Sequence, residues 1–416
     1  MTYPALPEIL EEWIGACREQ SQPLLRNALN HLWFDACKRQ DDGSVFVQTG
    51  DIPAMWIRDS TWQVMPLVRF ADRDIEIDEL IAGVIKSQVK FLSIDPYANA
   101  FNEKPNGNCW HKDFPDQSPW VFERKWELDS ISGFLNLSFA FALARGSYSH
   151  LDADWFALFV KLLDLLEREQ DHDPSSYRFV RTNAPAHDYL SHDGYGAPFE
   201  ACGLIWDAFR PSDDACELPF HVASNAHLMV GLKMFAWLLR PTNPELAQRA
   251  SRISKSIKKA LKKHAVVKHN GRKLFAYEVD GLGGRVLMDD ANYPNLLSEL
   301  SYLRPVSRSA WKNTGGFIFS KENPWFFEGK AAAGIGSPHT GKDMVWPLSI
   351  AQRGLTTGEM RECLELIEST VTPDLNIHES FDVNDPSKFT REWFSWAEIT
   401  YVELAFSELE ARQSDR

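Results

Sequence analysis

The sequence predicts an all-α protein in which paired helices close into a toroid, with long loops on one rim and a few short β-hairpins. Apolar residues recur at helical spacing in roughly twelve segments spread over both halves of the 416-residue chain. Strand-like alternation is confined to short pieces, so a doubly wound sheet is disfavoured. No Gly/Ser/Pro-rich linker or change of composition separates the halves. We therefore expect one domain over residues 1–416.

The helical segments follow one another in a regular rhythm along the chain. The apolar spacing predicts helices at about residues 7–20, 22–38, 60–72, 77–94, 128–145, 151–170, 223–239, 243–264, 290–302, 343–354, 357–371 and 391–411. Asp59 and Ser60 give a start signal for the third segment, and Glu359 follows polar capping residues at the eleventh. Twelve helices make six hairpin pairs, in which each inner helix buries an apolar face against an outer one.

Strands and loops fill the intervals between these helices. Residues 44–48 predict a strand, and Ala265–Lys268 with Lys273–Glu278 predict a hairpin across Asn270-Gly271. The loops at 95–127, 172–222, 265–289 and 303–342 are longer than compact domains usually tolerate without a functional reason. They hold most of the tryptophans, histidines and paired carboxylates, so we expect the functional residues there.

Charge and composition exclude several classes of partner. The chain has 58 acidic and 44 basic residues, a net charge of −14, which argues against a nucleic-acid partner. No apolar run long enough for a membrane helix is apparent, and the acidic N-terminal segment is unlike a secretory signal. We expect a cytoplasmic protein with reduced cysteines, no membrane partner, and a monomeric or weakly homo-oligomeric state.

The chain contains 15 tryptophans, several of them beside charged residues. An indole ring offers a flat apolar face and one N–H donor, which suits stacking on a sugar ring. The alternative is that these residues only fill the core.

The first polar cluster is the segment 50–60, where Trp56 precedes the adjacent pair Arg58-Asp59. A guanidinium that donates and a carboxylate that accepts can together bind a vicinal diol. The alternative is a surface ion pair in which Asp59 or Ser60 caps a helix.

Two further clusters pair carboxylates with other charged side chains. Segment 120–130 alternates charges with aromatic rings and contains Glu127, and segment 209–215 places Asp213-Asp214 beside Arg210. Adjacent carboxyl groups can have very different pKa values, as an acid and base pair requires. One member of such a pair can instead be only a cap or a turn residue, and the same alternative holds for Asp290 and its neighbour.

The last clusters contain His339-Thr340 and His378-Glu379. The Gly-x-Gly before His339 lacks the third glycine of a dinucleotide-binding loop, and no second histidine completes a zinc motif with His378. We therefore expect neither a cofactor nor a metal ion. The remaining inventory of carboxylates, histidines and aromatic rings suits glycoside cleavage.

Seven segments together resemble glycoside hydrolase family 125. They are TGDIPAMWIRDS (49–60), WVFERKWELDS (120–130), FRPSDDA (209–215), MDDANYPNLL (288–297), GIGSPHT (334–340), HESFDVNDP (378–386) and TREWFSWA (390–397). The resemblance extends in the family's order from about residue 25 to 410. It implies an (α/α)6 barrel and an exo-acting α-1,6-mannosidase that inverts the anomeric configuration without a metal ion.

The resemblance also implies roles for single residues. The general base matches Glu379, and the general acid falls on the Asp213-Asp214 pair, of which Asp214 is favoured. Glu392 stands where relatives carry a small hydroxyl residue. It is the weaker candidate base, because a Glu at the start of the predicted helix 391–411 is favoured by the helix dipole alone. The residues expected to bind the terminal mannose are Trp56, Arg58, Asp59, Glu127, Asp290, His339, Thr340 and His378.

The function that the resemblance implies is removal of terminal α-1,6-linked mannose from oligosaccharides derived from N-glycans. Inversion requires the carboxyl groups of the acid and the base to lie about 6.5–9.5 Å apart, leaving room for a water molecule. Two alternatives remain open. One is another (α/α)6 exo-glycosidase acting on a different terminal sugar, and the other is a catalytically silent glycan-binding protein.

Overall fold

The computed structural model describes residues 5–414 and is rich in helices. The α-helices of this range are α1 Glu8–Ala16, α2 Gln22–Asn30, α3 Ile57–Val64, α4 Ile75–Ile94, α5 Leu128–Arg145, α6 Ala153–Glu169, α7 Ser191–Gly194, α8 Val222–Leu239, α9 Pro244–Ala260, α10 Leu300–Leu303, α11 Arg308–Ile318, α12 Pro347–Thr357, α13 Met360–Glu368 and α14 Ser395–Ser414. The prediction of a helix-rich fold is confirmed.

The strands are all short. They are β1 Cys37–Arg39, β2 Val45–Val47, β3 Met55–Trp56, β4 Ala100–Phe101, β5 Val121–Glu123, β6 Phe220–His221, β7 Val266–His269, β8 Arg272–Phe275, β9 Glu278–Val279, β10 Arg285–Val286, β11 Phe326–Glu328, β12 Ala333–Ile335, β13 Met344–Val345, β14 Ser380–Asp382 and β15 Asp385–Thr390. The predicted hairpin is present, since β7 and β8 pair antiparallel across Asn270-Gly271. Both turn residues have positive φ, 46° and 75°, as a two-residue hairpin turn requires.

Most predicted helices are present with shifted ends. The segment predicted at 128–145 has those bounds. The segment predicted at 22–38 is regular only to Asn30 and continues as a wider turn over His31–Ala36. The segment predicted at 60–72 begins at Ile57 and continues as a 3-10 helix over Met65–Phe70. Asp59 therefore lies inside the first turn of α3 and does not cap it.

The helix predicted at 290–302 is wrong. The backbone amides of Leu296 and Leu297 donate to the buried carboxylate of Asp289, at 2.8 and 3.0 Å. The amide of Asn292 donates to the Asp290 side chain at 2.9 Å. Side-chain acceptors thus replace the carbonyl groups that a helix would use, and Pro294 supplies no N–H at all. Only Leu300–Leu303 is helical in this range.

One helix, α11, lies within the loop predicted at 303–342. Ser307 caps its first turn by accepting from the amide of Ala310 at 3.4 Å. Serine is a favoured N-cap residue, so a start signal was present in the sequence. The weak apolar pattern of Arg308–Ile318 did not reveal the helix that follows it.

The chain divides into two compact units. Of the described residues, the first contains 5–88, 140–150 and 325–414, and the second contains 89–139 and 151–324. In the first unit, α14 packs against α2, α3, α12 and α13. The rings of Trp13, Phe70 and Phe406 form a cluster there with centroids 4.8 to 5.9 Å apart. The single domain over residues 1–416 stays a prediction.

In the second unit, α8 and α9 form a closely packed pair. Helix α8 corrects one expectation, because Val222–Leu239 is long and apolar enough to cross a membrane by length and composition. Within the structure 67% of this segment is buried, and the hydroxyl of Ser254 on α9 donates to the carbonyl of Met229 on α8 at 2.7 Å. Packing inside the protein accounts for the apolar composition of α8.

Candidate active site

The first part of the site lies at the start of α3. Strand β3 ends at Trp56, and the helix begins at the next residue, which places Arg58 and Asp59 in its first turn. Both are 3% exposed, so the alternative of a surface ion pair is wrong. Asp59 accepts from the hydroxyl of Thr49 and from Nε of Arg58, the latter at 3.2 Å. The Arg58 guanidinium lies 5.2 Å from the ring centre of Trp396.

Glu379 immediately precedes β14 and is 6% exposed. Its Oε1 lies 3.8 Å from Nη1 of Arg391. The same guanidinium donates to Asp51 and, at 2.9 Å, to the carbonyl of Thr49. Because the Thr49 hydroxyl bonds Asp59, a continuous set of contacts connects the candidate base with the Arg58-Asp59 pair.

Gly50 makes this connection possible. Its φ is 101°, and a Cβ atom there would lie 2.5 Å from the carbonyl oxygen of Trp393. The next amide, that of Asp51, donates to the same carbonyl at 3.3 Å. Backbone contact of this kind brings two segments together that are about 340 residues apart. Sequence reasoning did not single out Thr49 or Arg391, although both belong to the segments that carry the family resemblance.

His378 is buried and fully engaged with the protein. Its ring stacks on Phe389 with centroids 3.5 Å apart and planes 3° from parallel. Nδ1 contacts the carbonyl of Arg391 at 2.9 Å, and Nε2 contacts the hydroxyl of Thr372 at 3.1 Å. These contacts hold the residue immediately before Glu379 in place, whereas a role of His378 in binding substrate stays a prediction.

His339 and Thr340 lie beside an aromatic row in the first unit. His339 is exposed, and its ring centre is 6.4 Å from that of Trp346. The Trp346 indole N–H donates to the Thr340 hydroxyl at 2.8 Å. The row continues from Trp346 through Phe394 to Trp396, with centroids 5.9 and 6.0 Å apart. Trp396, at the end of this row, is the ring that the Arg58 guanidinium contacts.

The reason given for Glu392 as a helix-start residue is wrong. Helix α14 begins at Ser395, so Glu392 lies outside it and is exposed. The acidic residue in the first turn of α14 is the buried Glu398, which contacts His31 and Trp393, both at 2.9 Å. Exposure still separates Glu392 from the buried Glu379.

The second unit holds the Asp213-Asp214 pair in a short hairpin, here called the acid hairpin (Phe209–Ala215). Phe209 pairs with Ala215, the Arg210 amide donates to the Asp214 carbonyl at 2.7 Å, and the Asp213 amide donates to the Arg210 carbonyl at 2.9 Å. Asp213 has φ 65°, a left-handed conformation that Asp tolerates better than most residues. It is therefore a half-buried turn residue, whereas Asp214 is only 1% exposed.

Asp290 lies within electrostatic range of Asp214. Burial raises the pKa of Asp290 from 3.8 to about 6, hydrogen bonds from Asn292 oppose the rise, and the charge of Asp214 adds to it. The charge of Arg210 acts in the opposite direction. The structure thus brings together two of the carboxylates predicted for the site, one of which can still carry a proton near pH 6.

Glu127 is buried immediately before α5. Nδ2 of Asn99 donates to Glu127 at 2.9 Å and to Glu123 at 3.1 Å. Asp207 accepts from the Leu128 amide at 3.0 Å at the helix start. Burial and then the charge of Asp129 raise the pKa of Asp207 well above its usual range. Sequence reasoning missed Asp207, although its apolar neighbours Leu204-Ile205-Trp206 and Ala208-Phe209 were a local sign of burial.

The raised pKa of Asp290 predicts that the free energy of unfolding depends on pH. Between pH 3.8 and about 6 the unfolded chain loses the Asp290 proton while the folded protein keeps it, so stability falls as pH rises through this window. Asp290→Asn removes this penalty, because an amide oxygen still accepts from Asn292. We expect the variant to be about 1–3 kcal/mol more stable than the wild type above pH 6, with little difference below pH 4. Urea unfolding from pH 4 to 8 measures the difference, and equal pH profiles for the two proteins would contradict it.

Asp214 and Glu379 belong to different units, and their separation stays a prediction. Over residues 5–414 the structure contains no group of three or more His, Cys, Asp or Glu side chains placed to hold a metal ion. The side chains described above offer carboxyl groups, guanidinium groups and aromatic rings.

Comparison with known proteins agrees with this inventory. The family described as metal-independent α-mannosidase (GH125) matches residues 19–406. The Meiotically up-regulated gene 157 protein of Schizosaccharomyces pombe is 37% identical over 394 residues, which cover 88% of this chain and 77% of the relative.

Solved structures show the same relationship. A metal-independent α-mannosidase of Streptococcus pneumoniae, in a non-productive complex with α-1,6-mannobiose, is 35% identical with a TM-score of 0.93, covering 99% of this chain and all of the other. A bacterial glucoamylase complexed with acarbose shares the fold at 14% identity and a TM-score of 0.59, over 96% of this chain and 57% of its own. With a family match over most of its length, the chain belongs to glycoside hydrolase family 125, the metal-independent α-mannosidases.

Proposed function

We propose that this protein is an exo-acting α-1,6-mannosidase that works by inversion on oligosaccharides derived from N-glycans. The observation that carries the proposal is the likeness, at a TM-score of 0.93, to the S. pneumoniae structure that holds α-1,6-mannobiose. The two carboxylates proposed as acid and base are both buried, Asp214 at 1% and Glu379 at 6% exposure.

In the proposed reaction Asp214 protonates the glycosidic oxygen as the bond to the anomeric carbon breaks. Glu379 removes a proton from the water molecule that attacks the opposite face of the sugar. Asp213 is the poorer acid candidate, because it is partly exposed and has a left-handed turn conformation that favours Asp. The turn alone accounts for an aspartate at this position. Arg391, 3.8 Å from Glu379, orients the base relative to the segment around Thr49.

Recognition of the terminal mannose is assigned to buried groups with complementary hydrogen-bonding capacity. Arg58 supplies donors, while Asp59 and Glu127 supply acceptors. Asp290 can donate in its acid form and accept when ionised, since its pKa lies near 6. The row of Trp346, Phe394 and Trp396 is almost completely buried, so it supports the Arg58 guanidinium from below and offers no open face to a sugar ring.

The test is proton NMR of the products released from α-1,6-mannobiose. Inversion gives β-mannose as the first product, whereas α-mannose as the first product would mean retention. A panel with α-1,2-mannobiose and nitrophenyl α-mannoside and α-glucoside tests specificity. Preferred cleavage of the glucoside would favour the alternative of a different terminal sugar. Binding of mannobiose without any cleavage would favour the silent glycan-binding protein.

We expect chelators to leave the activity intact. Neither proposed carboxylate role involves a metal ion, so overnight dialysis against EDTA should change kcat on α-1,6-mannobiose by less than about twofold. Assays with added Ca²⁺ or Zn²⁺ serve as the comparison. Activity that is abolished by the chelator and restored by Ca²⁺ would contradict the expectation.

We further propose that the protein works in the cytoplasm as a monomer or weak homo-oligomer. All six cysteines are free thiols, a state that a reducing compartment maintains. Cell fractionation and sedimentation velocity test the two parts of this proposal separately.

A further inference from the structure

The peptide groups on both sides of Asp214 are held by residues outside the acid hairpin. The carbonyl oxygen of Asp213 accepts from Nζ of Lys125 at 2.7 Å. The amide of Ala215 donates to the carbonyl of His187 at 2.7 Å. Because each peptide group is planar, fixing both of them fixes the direction in which the Asp214 side chain leaves the backbone.

Lys125 is buried, and acidic side chains surround the ammonium that makes this contact. Its side chain is 3% exposed, and Nζ also contacts Asp188 at 2.6 Å and Glu123 at 3.6 Å. The ammonium thus donates hydrogen bonds to Asp188 and to the Asp213 carbonyl, and Glu123 adds an opposite charge at ion-pair distance. Burial lowers the pKa of Lys125, but the charges of Glu123, Asp213 and Asp188 outweigh it and raise the pKa. The side chain is therefore a charged donor at neutral pH.

Asp188 joins the two contacts that flank Asp214, since it follows His187 directly and binds Lys125. It also binds Arg181 at 2.8 Å. Arg181 in turn forms a bidentate pair with Asp113 at 2.8 Å and contacts Glu123 at 2.8 Å. The acid hairpin thus rests on a buried ionic cluster in which every charge has an opposite partner.

The segment that carries Lys125 is bonded to the base of the acid hairpin as well as to its tip. The carbonyl of Trp126 accepts from the amides of Ala208 and Phe209, at 3.2 and 3.0 Å. The ammonium of Lys125 lies 5.1 Å from the ring centre of Phe209. Lys125 spans the hairpin from the strand that begins it to the turn beside the candidate acid.

We propose that Lys125 is a positioning residue for the general acid, holding Asp214 where its proton can reach the glycosidic oxygen. The proposal rests on the function proposed above. In that reaction the Asp214 O–H bond breaks, its proton passes to the leaving oxygen, and the electrons of the glycosidic bond stay on that oxygen. A misplaced acid slows this step in proportion to how much the leaving group needs the proton.

The test compares two substrates in the variant Lys125→Met. α-1,6-Mannobiose has an alcohol leaving group that must be protonated, whereas α-mannosyl fluoride releases an anion that needs little help. For the variant we expect kcat on mannobiose to fall about 100-fold. We expect KM for mannobiose to stay within about twofold and kcat on the fluoride to stay within about threefold of the wild type.

Lys90→Met is the control for loss of a lysine charge, because Lys90 is exposed on α4 and its ammonium lies over the rings of Phe91 and Trp120. It should leave both rates unchanged. A parallel loss on both substrates in Lys125→Met would show a merely structural role and overturn the proposal, and so would wild-type activity on mannobiose.

If thermal unfolding shows that Lys125→Met does not fold, the same comparison is made with Lys125→Arg. This variant keeps a positive charge for Asp188 and Glu123 but changes the geometry of the donor. We expect a smaller loss of kcat on mannobiose and again little loss of kcat on the fluoride. An equal fractional loss of kcat on the two substrates would overturn the proposal. Failure of the wild type on both substrates would instead overturn the proposed function.

Discussion

Glu379→Gln is expected to lower kcat on α-1,6-mannobiose by about 10²- to 10⁴-fold, because an amide cannot take the proton of the attacking water. Glutamine has the shape of glutamate, and the contact between Glu379 and Arg391 is long at 3.8 Å. We therefore expect KM and the unfolding temperature to change little. Steady-state kinetics and thermal unfolding of the purified variant measure the two effects separately.

Glu392→Gln is the matched control for this prediction. Glu392 is exposed and lies only thirteen positions after Glu379 in the sequence, so its replacement removes the same charge from the same part of the chain. Most of the activity should remain. If the two variants show the opposite order of kcat, the base is Glu392 and the assignment carried over from the His378-Glu379-Ser380 segment is wrong.

Asp214→Asn is expected to have the next largest effect. Loss of the acid should lower kcat on α-1,6-mannobiose by about 10²- to 10⁴-fold and spare α-mannosyl fluoride, since fluoride needs little protonation. Asp214 is 1% exposed and belongs to a tightly bonded hairpin, and asparagine preserves its shape. Rates on the two substrates in parallel assays give the ratio that identifies a lost acid.

Asp213→Asn discriminates between the two neighbours. Asparagine accepts the left-handed conformation at φ 65°, and the backbone carbonyl that binds Lys125 is unchanged. We expect a loss of less than about tenfold on mannobiose. A larger loss in Asp213→Asn than in Asp214→Asn, with sparing of the fluoride, would move the role of acid to Asp213.

Features set by short stretches of sequence were predictable. Helix α5 has its predicted bounds because its apolar pattern is continuous and its charged ends suit the helix dipole. Asp129 lies in the first turn and Arg145 in the last. The hairpin at Asn270-Gly271 follows from two adjacent residues that accept positive φ. The sequence pattern did not show which of Asp213 and Asp214 is the turn residue. The answer depends on the shape of the turn, in which only Asp213 has a left-handed backbone conformation.

Features set by distant partners were not predictable from the residues alone. Arg391 reaches Thr49 and Asp51 across 340 positions, and no local pattern encodes that contact. The irregular segment after Asp289 is a similar case, since its helical apolar spacing was overridden by side chains that capture the backbone amides. Resemblance to a family supplied candidate residues for the site, but not the contacts that hold them.

Two glycines near the N-terminal end of the chain should differ sharply in the substitutions they accept. Gly43 and Gly50 both have positive φ, 81° and 101°, but nothing lies within 4 Å of a Cβ atom at Gly43, whereas one at Gly50 would meet the Trp393 carbonyl. In a saturation library selected for growth on an α-1,6-mannoside, position 43 should therefore retain asparagine and aspartate. Position 50 should retain glycine alone, because any side chain would separate Asp51 from the segment that carries Arg391. The contact between Arg391 and the proposed base, Glu379, would then be lost.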